Sequence, residues 1–213
     1  MATNYIPALR YQRLDRFYDP LVTLLGYGRS FHTRVAELLA LQPGEAVLDV
    51  GAGTGTLAIL LKQRVPSARV VGLDIDPAIL EIAGEKARNA GVDVEWKEAP
   101  AQDLPFRAQS FDRVVSSLAF HHLRSADKHA AMEEVARVLR PGGMFLLADM
   151  GPLQLPGAGV VNRLLAFNVV EQVGDNFAGR IPAMLRAAGF RDVTTAGVFR
   201  RHVHLWRAWK PGG

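Results

Sequence analysis

Three of the chain's six histidines fall in one stretch, "SSLAFHHLRSADKH" (116–129), two of them adjacent, and Asp149 closes the apolar run "GMFLLAD" (143–149). An imidazole titrates near neutral pH, so a histidine steered by a carboxylate is well suited to take a proton from a hydroxyl or a carbon acid. His121 and His122 are the candidate acid–base groups, with Asp149 as the orienting acid. For either ring the alternative is a neutral histidine that packs under the loop or bonds to backbone. His129, in "ADKHAAMEE", reads as a solvated helix residue, and His32, His202 and His204 form no metal-ligand pattern. The chain has no cysteine, which excludes disulfides, thiolate metal sites and thiolate nucleophiles.

A second constellation lies in "AVLDVGAGTGTLAILL" (46–61), a strand, a glycine turn and a helix, with Gly51, Gly53 and Gly55 on alternate positions. Glycines let the backbone turn sharply and admit a ligand to the main chain, and the helix start offers free N–H groups. Thr56 stands where the dinucleotide fingerprint needs its third glycine, and the Gly-Lys-Ser/Thr ending of a phosphate loop is missing. The loop therefore suits a ligand with a polar head that is not a polyphosphate, with Asp49 at the strand end beside it. Asp74, in "VVGLDIDP", follows about 20 residues later, a spacing that lets the next strand end offer a carboxylate to two ribose hydroxyls. Helix capping suits Asp76, directly before Pro77, better than it suits Asp74.

Alternating strand and helix patterns must position these groups. Strands are expected at 46–50, 69–74, 93–99, 111–118 and 143–149, and helices over "TLAILLKQRV", "PAILEIAGEKARNAG" and "ADKHAAMEEVARVLRPGG". Pro77 sits at a first helical position, Gly91 and Gly142 follow helix ends, and Pro141 is expected to stop its helix. This order implies a parallel sheet, whose ligands bind beyond the carboxyl ends of the strands. A single domain is expected over 1–213: a helical N-terminal cap at 1–44, a cofactor-binding core at 45–150, a substrate-cap insertion at 151–180, and a C-terminal helix and hairpin at 181–213. The apolar runs are shorter than the roughly 20 residues of a membrane span, and the N-terminus lacks a secretory pattern, so a cytoplasmic location is expected. With a net charge of +4 and arginines scattered except in "FRRHVHLWRAWK" near the end, a nucleic-acid footprint is not indicated, and an anionic lipid or substrate is equally compatible.

The motifs "VLDVGAGTG", "VVGLDIDP", "APAQDLPF", "FDRVVSSLAFHHL", "LRPGGMFLLAD" and "MLRAAGF" stand in an order and spacing that resemble the class I S-adenosylmethionine-dependent methyltransferases. The resemblance covers nearly the whole chain and points to the branch of the ubiquinone and menaquinone C-methyltransferases and many small-molecule O- and N-methyltransferases. It implies a Rossmann-like α/β fold, a mostly parallel seven-stranded sheet with helices on both faces and a C-terminal antiparallel hairpin. It implies S-adenosyl-L-methionine as cofactor and S-adenosyl-L-homocysteine as product. By the same resemblance Asp49, Gly51, Gly53, Thr54 and Gly55 hold the aminoacyl end, Asp74 the ribose and Ile75 the adenine. Pro100 departs from the usual Asp or Asn at the adenine amino group, which leaves the Ala101 amide, with Gln102 or Asp103 as substitutes. Ser117 matches a cofactor-proximal position, and Tyr18 matches a lid residue.

The expected acceptor is a small or lipid-like molecule, methylated on O or C with histidine-assisted deprotonation. Base N-methylation of nucleic acid is disfavoured, since "SSLAFHH" lacks the Pro-Pro-aromatic element, and the absence of cysteine excludes the 5-methylcytosine and arsenite enzymes. A phospholipid or small-amine N-methyltransferase, touching a membrane through the apolar segment 158–173, remains an alternative. A cofactor-binding scaffold without turnover is another. Oligomeric state is left open by the sequence.

Overall fold

The computed structural model describes residues 28–154, 156–162 and 171–212. Tyr18, with the rest of the expected cap over 1–27, lies outside the described residues, as does 163–170 of the expected substrate cap. Helix α1 (Arg29–Leu39) precedes β1 (Ala46–Val50), α2 (Thr56–Arg64), β2 (Arg69–Asp74), α3 (Pro77–Asn89), β3 (Glu95–Glu98) and β4 (Phe111–Ser117). A 3-10 turn (Phe120–His122) then leads into α4 (Ser125–Val138) and β5 (Leu139–Met150). After a helical stretch at 158–162 come α5 (Glu171–Phe177), α6 (Ile181–Ala187), β6 (Arg191–Phe199) and β7 (Val203–Trp209).

The seven strands run in the order β3-β2-β1-β4-β5-β7-β6. The first five are parallel, and β7 is antiparallel to both β5 and β6. This is the Rossmann-like sheet with a closing hairpin that the sequence implies. All five residues of β1 are buried, because helices cover both faces of a central parallel strand and no polar alternation can survive there. One face packs Leu48, Val71, Val114 and Phe145 against Met132 and Val135 of α4 and Leu185 of α6. The other packs Val47, Val70, Val115 and Leu146 against Phe31 and Val35 of α1 and Leu57 and Leu61 of α2. The strand order reverses direction between β1 and β4, so their carboxyl ends open a crevice between the glycine loop and the histidine turn.

Three boundaries differ from expectation. β3 is shorter than 93–99 because it is an edge strand, paired only with β2. β4 stops at Ser117 because Leu118 adopts a left-handed φ of 54°. β5 begins at Leu139 rather than 143: Leu139 pairs with Phe111, an irregularity follows, and Pro141 is exposed within it. The preceding helix thus ends at Val138, before the proline could act as its stop. Among the described residues no helix is long and apolar enough to cross a membrane.

Candidate active site

The three glycines of the loop after β1 carry three different constraints. Gly51 has φ +73°, and a Cβ there would lie 2.4 Å from the Ala119 Cβ, so its bareness lets the chain after β4 nest against the loop. Gly55 has φ +77°, and a Cβ would strike the Trp96 ring at 2.5 Å; that ring also covers Gly72 at 2.3 Å. Gly53, at φ +53°, faces open space, and its N–H donates to Asp74 Oδ2 at 2.9 Å. Of the three, Gly53 leaves room for a ligand against the backbone, whereas Gly55 serves the packing of Trp96. The N–H groups of Gly51 and Ala52 bond to the Leu73 carbonyl, strapping the loop to the end of β2. Thr54 is buried and its hydroxyl accepts from Lys86 Nζ of α3 at 3.1 Å, so its side chain is engaged with that helix.

Two carboxylates flank the loop. Asp49 is 1% exposed, and neither carboxylate oxygen has a hydrogen bond. Burial, followed by the nearby Asp74 charge, pushes its pKa up to about 7, with the Ala58 amide pulling weakly the other way. An orphaned buried carboxylate is costly, and a cationic or N–H-bearing ligand would relieve it. Asp74 accepts from Gly53 N through Oδ2 and from Asp76 N at 3.1 Å through Oδ1. Burial raises its pKa, and those amides pull it back. Each of its oxygens retains a lone pair for a hydroxyl. Asp76 caps α3 by accepting from Ala78 N at 2.9 Å, as its place before Pro77 suggests. Ile75 follows directly, half-buried. Ala99 N bonds to the Asp74 carbonyl at 3.1 Å, which brings the turn carrying Ala101 and Gln102 beside the β2 end. Open backbone at Gly53, an unpaired acid below and a second acid beside it fit a ligand with an ammonium, a sulfonium and a ribose diol, as S-adenosylmethionine has.

Across the crevice, Ser117 ends β4 half-buried. Leu118 then takes its left-handed φ while its N–H bonds to the Ala148 carbonyl at 2.9 Å. A branched residue in that region costs about 1 kcal/mol, and such strain concentrates at functional sites. The kink folds Ala119 onto Gly51 and turns His121 down to Asp149. The His121 backbone N–H donates to Asp149 Oδ2 at 2.9 Å, and the ring Nδ1 lies 2.7 Å from Oδ1. Asp149 is fully buried; burial would raise its pKa, but the His121 charge and hydrogen bond, with the Met150 and His121 amides, hold it below the usual range. An ionised Asp149 can only accept, so Nδ1 carries a proton, and in the neutral tautomer this selects, the lone pair is on Nε2.

His122 behaves differently. Its ring centroid lies 4.0 Å from that of His121, but the residue is exposed. Partial desolvation, then the His121 charge, hold its pKa down at about 4, with Asp149 opposing; solvent at the exposed ring screens part of this shift. The arrangement brings His121 and Asp149 together and leaves His122 at the rim. Two supports were missed from sequence: Ser116, whose hydroxyl donates to the Val50 carbonyl at 2.7 Å and ties β4 to β1, and Lys128, fully buried in α4. A lysine on an otherwise apolar helical face was the available signal for the second. Among the described residues, no group of three or more histidines and acids is placed to hold a metal ion.

Comparison with known proteins agrees with this geometry. A methyltransferase domain family matches residues 47–143. The demethylmenaquinone methyltransferase of Thermus thermophilus is 33% identical over 210 residues, 87% of this chain and 94% of its own. The erythromycin 3''-O-methyltransferase of Saccharopolyspora erythraea is 33% identical over 189 residues, 81% of this chain and 59% of its own. A SAM-dependent methyltransferase from Aquifex aeolicus shares the fold, with a TM-score of 0.73 at 19% identity, over 94% of this chain and 99% of that one. The chain therefore belongs to the class I S-adenosylmethionine-dependent methyltransferases, in the family that includes the demethylmenaquinone methyltransferases, and is an enzyme of methyl transfer to a small-molecule acceptor.

Proposed function

We propose that the enzyme methylates a hydroxyl-bearing small molecule that loses a proton in the reaction, with His121 as the base and Asp149 as its orienting acid. The single observation that supports this most strongly is the two-point hold of Asp149 on His121, through the backbone at 2.9 Å and the ring at 2.7 Å. The bound sulfonium supplies an electrophilic methyl group, and the chain's residues do the rest. Asp49 takes the cationic aminoacyl end, which lies against the open backbone at Gly53. Asp74 accepts from the ribose hydroxyls, Ile75 packs on the adenine, and the Ala101 amide and Gln102 meet its edge in place of the side chain that Pro100 cannot offer. Ser117, at the end of β4, is assigned to the reacting end of the cofactor.

Methyl transfer is an in-line displacement, so alignment supplies much of the acceleration. His121 Nε2 takes the acceptor's hydroxyl proton as the new bond to methyl forms and the carbon–sulfur bond breaks, its electron pair remaining on the neutral thioether. Asp149 stabilises the imidazolium that results. On a quinol ring the electrons released by deprotonation make a ring carbon the nucleophile; on a saturated alcohol the oxygen itself attacks. C-methylation of a quinol-type acceptor is the leading reading, supported by the 33% identity to a demethylmenaquinone methyltransferase over nearly its full length. O-methylation is the second, supported by similar identity to the erythromycin enzyme over part of that chain. The test is turnover of methyl-labelled cofactor against reduced demethylnaphthoquinols, phenols, deoxysugars, amines and phospholipids, with product NMR locating the methyl group. Turnover confined to amines or phospholipids would remove the need for a base and defeat the proposal.

A further inference from the structure

Lys128 sits six residues after His122 on α4, with its side chain fully buried. Ala131, Met132 and Val135 lie three, four and seven positions on, so an apolar residue at 128 would complete a continuous core face. A buried ammonium is costly unless acceptors surround it. Here they come from α5. The Nζ donates to the Gln172 carbonyl and stands 3.9 Å from Asp175 Oδ2. Next to Asp175, the buried Asn176 donates from Nδ2 to the Met150 carbonyl at 2.9 Å, one residue past Asp149. Helix α5 packs against the turn that carries His121 and His122, and the Lys128 ammonium is also within electrostatic reach of Asp149. Lys128 is thus joined both to the pair expected to move the proton and to the end of the segment expected to cover the acceptor.

We infer that Lys128 is a positioning residue, which pins α5 to the histidine turn and sets the charge environment of the His121–Asp149 pair. This rests on the assignment of His121 as base. His121 touches His122 on its own turn and Asp149 on β5; Asp149 in turn feels Lys128 on α4, which faces Asp175 on α5 with Arg180 bonded to it at 2.7 Å. His204 of β7 is in register with Asp149 and places its Nε2 2.9 Å from the Pro152 carbonyl oxygen. The Lys128 cation opposes a second positive charge on His121, whereas the Asp175 anion favours one. A purely structural latch would let both substitutions perturb the site in the same sense; an electrostatic one gives them opposite signs.

The experiment is the pH profile of kcat/KM for the wild type, Lys128→Met, Asp175→Asn and the double variant, with hydrogen exchange of residues 120–123 and 171–177 in the absence of substrate. The acid limb is expected to move to higher pH in Lys128→Met by about half a unit to one unit. It should move to lower pH in Asp175→Asn and return close to the wild-type position in the double variant. Exchange in both segments is expected to rise at least about 10-fold in Lys128→Met. Limbs that move together, or unchanged protection of 171–177, would overturn the inference. If Lys128→Met does not fold, Asp175→Asn and the double variant, which leaves no lone buried charge of the pair, still decide the sign. A wild-type profile with no acid limb would instead defeat the base assignment, and exchange of 171–177 would then decide the latch alone.

Discussion

A Cβ on Gly51 would lie 2.4 Å from the Cβ of Ala119, so the glycine loop and the histidine turn meet where neither can yield. Gly51 belongs to the loop strapped to β2, and Ala119 to the kink that delivers His121 to Asp149. The contact fixes the distance between the glycine loop and His121, the proposed cradle of the methyl donor and the proposed base. Displacements of about 1 Å at such a contact can cost about 100-fold in rate.

Gly51→Ala should therefore lower kcat/KM by about 100-fold and destabilise the protein by about 1–3 kcal/mol, since it adds a clash to an unfavourable φ. Adding Ala119→Gly removes the facing methyl and should recover part of the activity. A double-mutant cycle on kcat/KM and on urea midpoints measures that coupling; strict additivity would show that the contact does not position the turn.

Asp149→Asn should leave cofactor affinity within about twofold and lower kcat by about 100-fold or more, because the amide no longer secures the Nδ1 tautomer. His121→Ala should match it, and His122→Ala should lose far less. Calorimetry with S-adenosylhomocysteine and single-turnover rates separate binding from chemistry. Equal losses at both histidines would move the base role away from His121 alone.

Asp49 makes the apo-protein sensitive to alkali. Its folded pKa, about 7, lies above the ordinary carboxylate value of about 4, so its contribution to stability is fully present below about pH 4 and is lost as pH rises through 7. Relative to acid pH, ionising this buried group costs on the order of 4 kcal/mol by pH 8. Melting temperature without ligand should fall between pH 5 and pH 8 in the wild type and much less in Asp49→Asn. Cofactor binding at pH 6 should release a proton, seen as a buffer-dependent heat; an identical heat in buffers of different ionisation enthalpy would argue against an Asp49 contact with the cationic end.

Asp74→Asn should weaken cofactor binding about 10- to 100-fold, since the side chain holds the Gly53 amide as well as offering itself to the ribose. Asp76→Asn, which keeps a capping oxygen on α3, should bind normally. A deoxyribose analogue of the cofactor should show a smaller difference between wild type and Asp74→Asn, leaving only the share due to the Gly53 amide.

The glycine spacing, Asp74, the alternating strands and the histidine pair were legible because each depends on residues close in sequence. A buried parallel strand reads as an apolar run, and Asp76 before Pro77 reads as a cap, since the partner of each feature lies within a few positions. The roles of Gly51 and Gly55 were not separable in this way. Ala119 and Trp96, which make those glycines necessary, come from the turn after β4 and from β3, both distant in sequence. Nothing near Thr54 in the sequence announces the Lys86 ammonium that α3 brings to its hydroxyl.

By itself the sequence determined the alternating α/β order, through short-range periodicity, and the family, through the resemblance of its ordered motifs. Tertiary structure alone decided which histidine meets Asp149. Neighbouring side chains on a tight turn point in different directions, and the left-handed φ of Leu118, which no leucine announces, sets which one faces the buried carboxylate. It also decided that Lys128 bridges α4 to α5. A lysine is ordinary on a helix surface, and only the packing of the two helices shows that this one is buried.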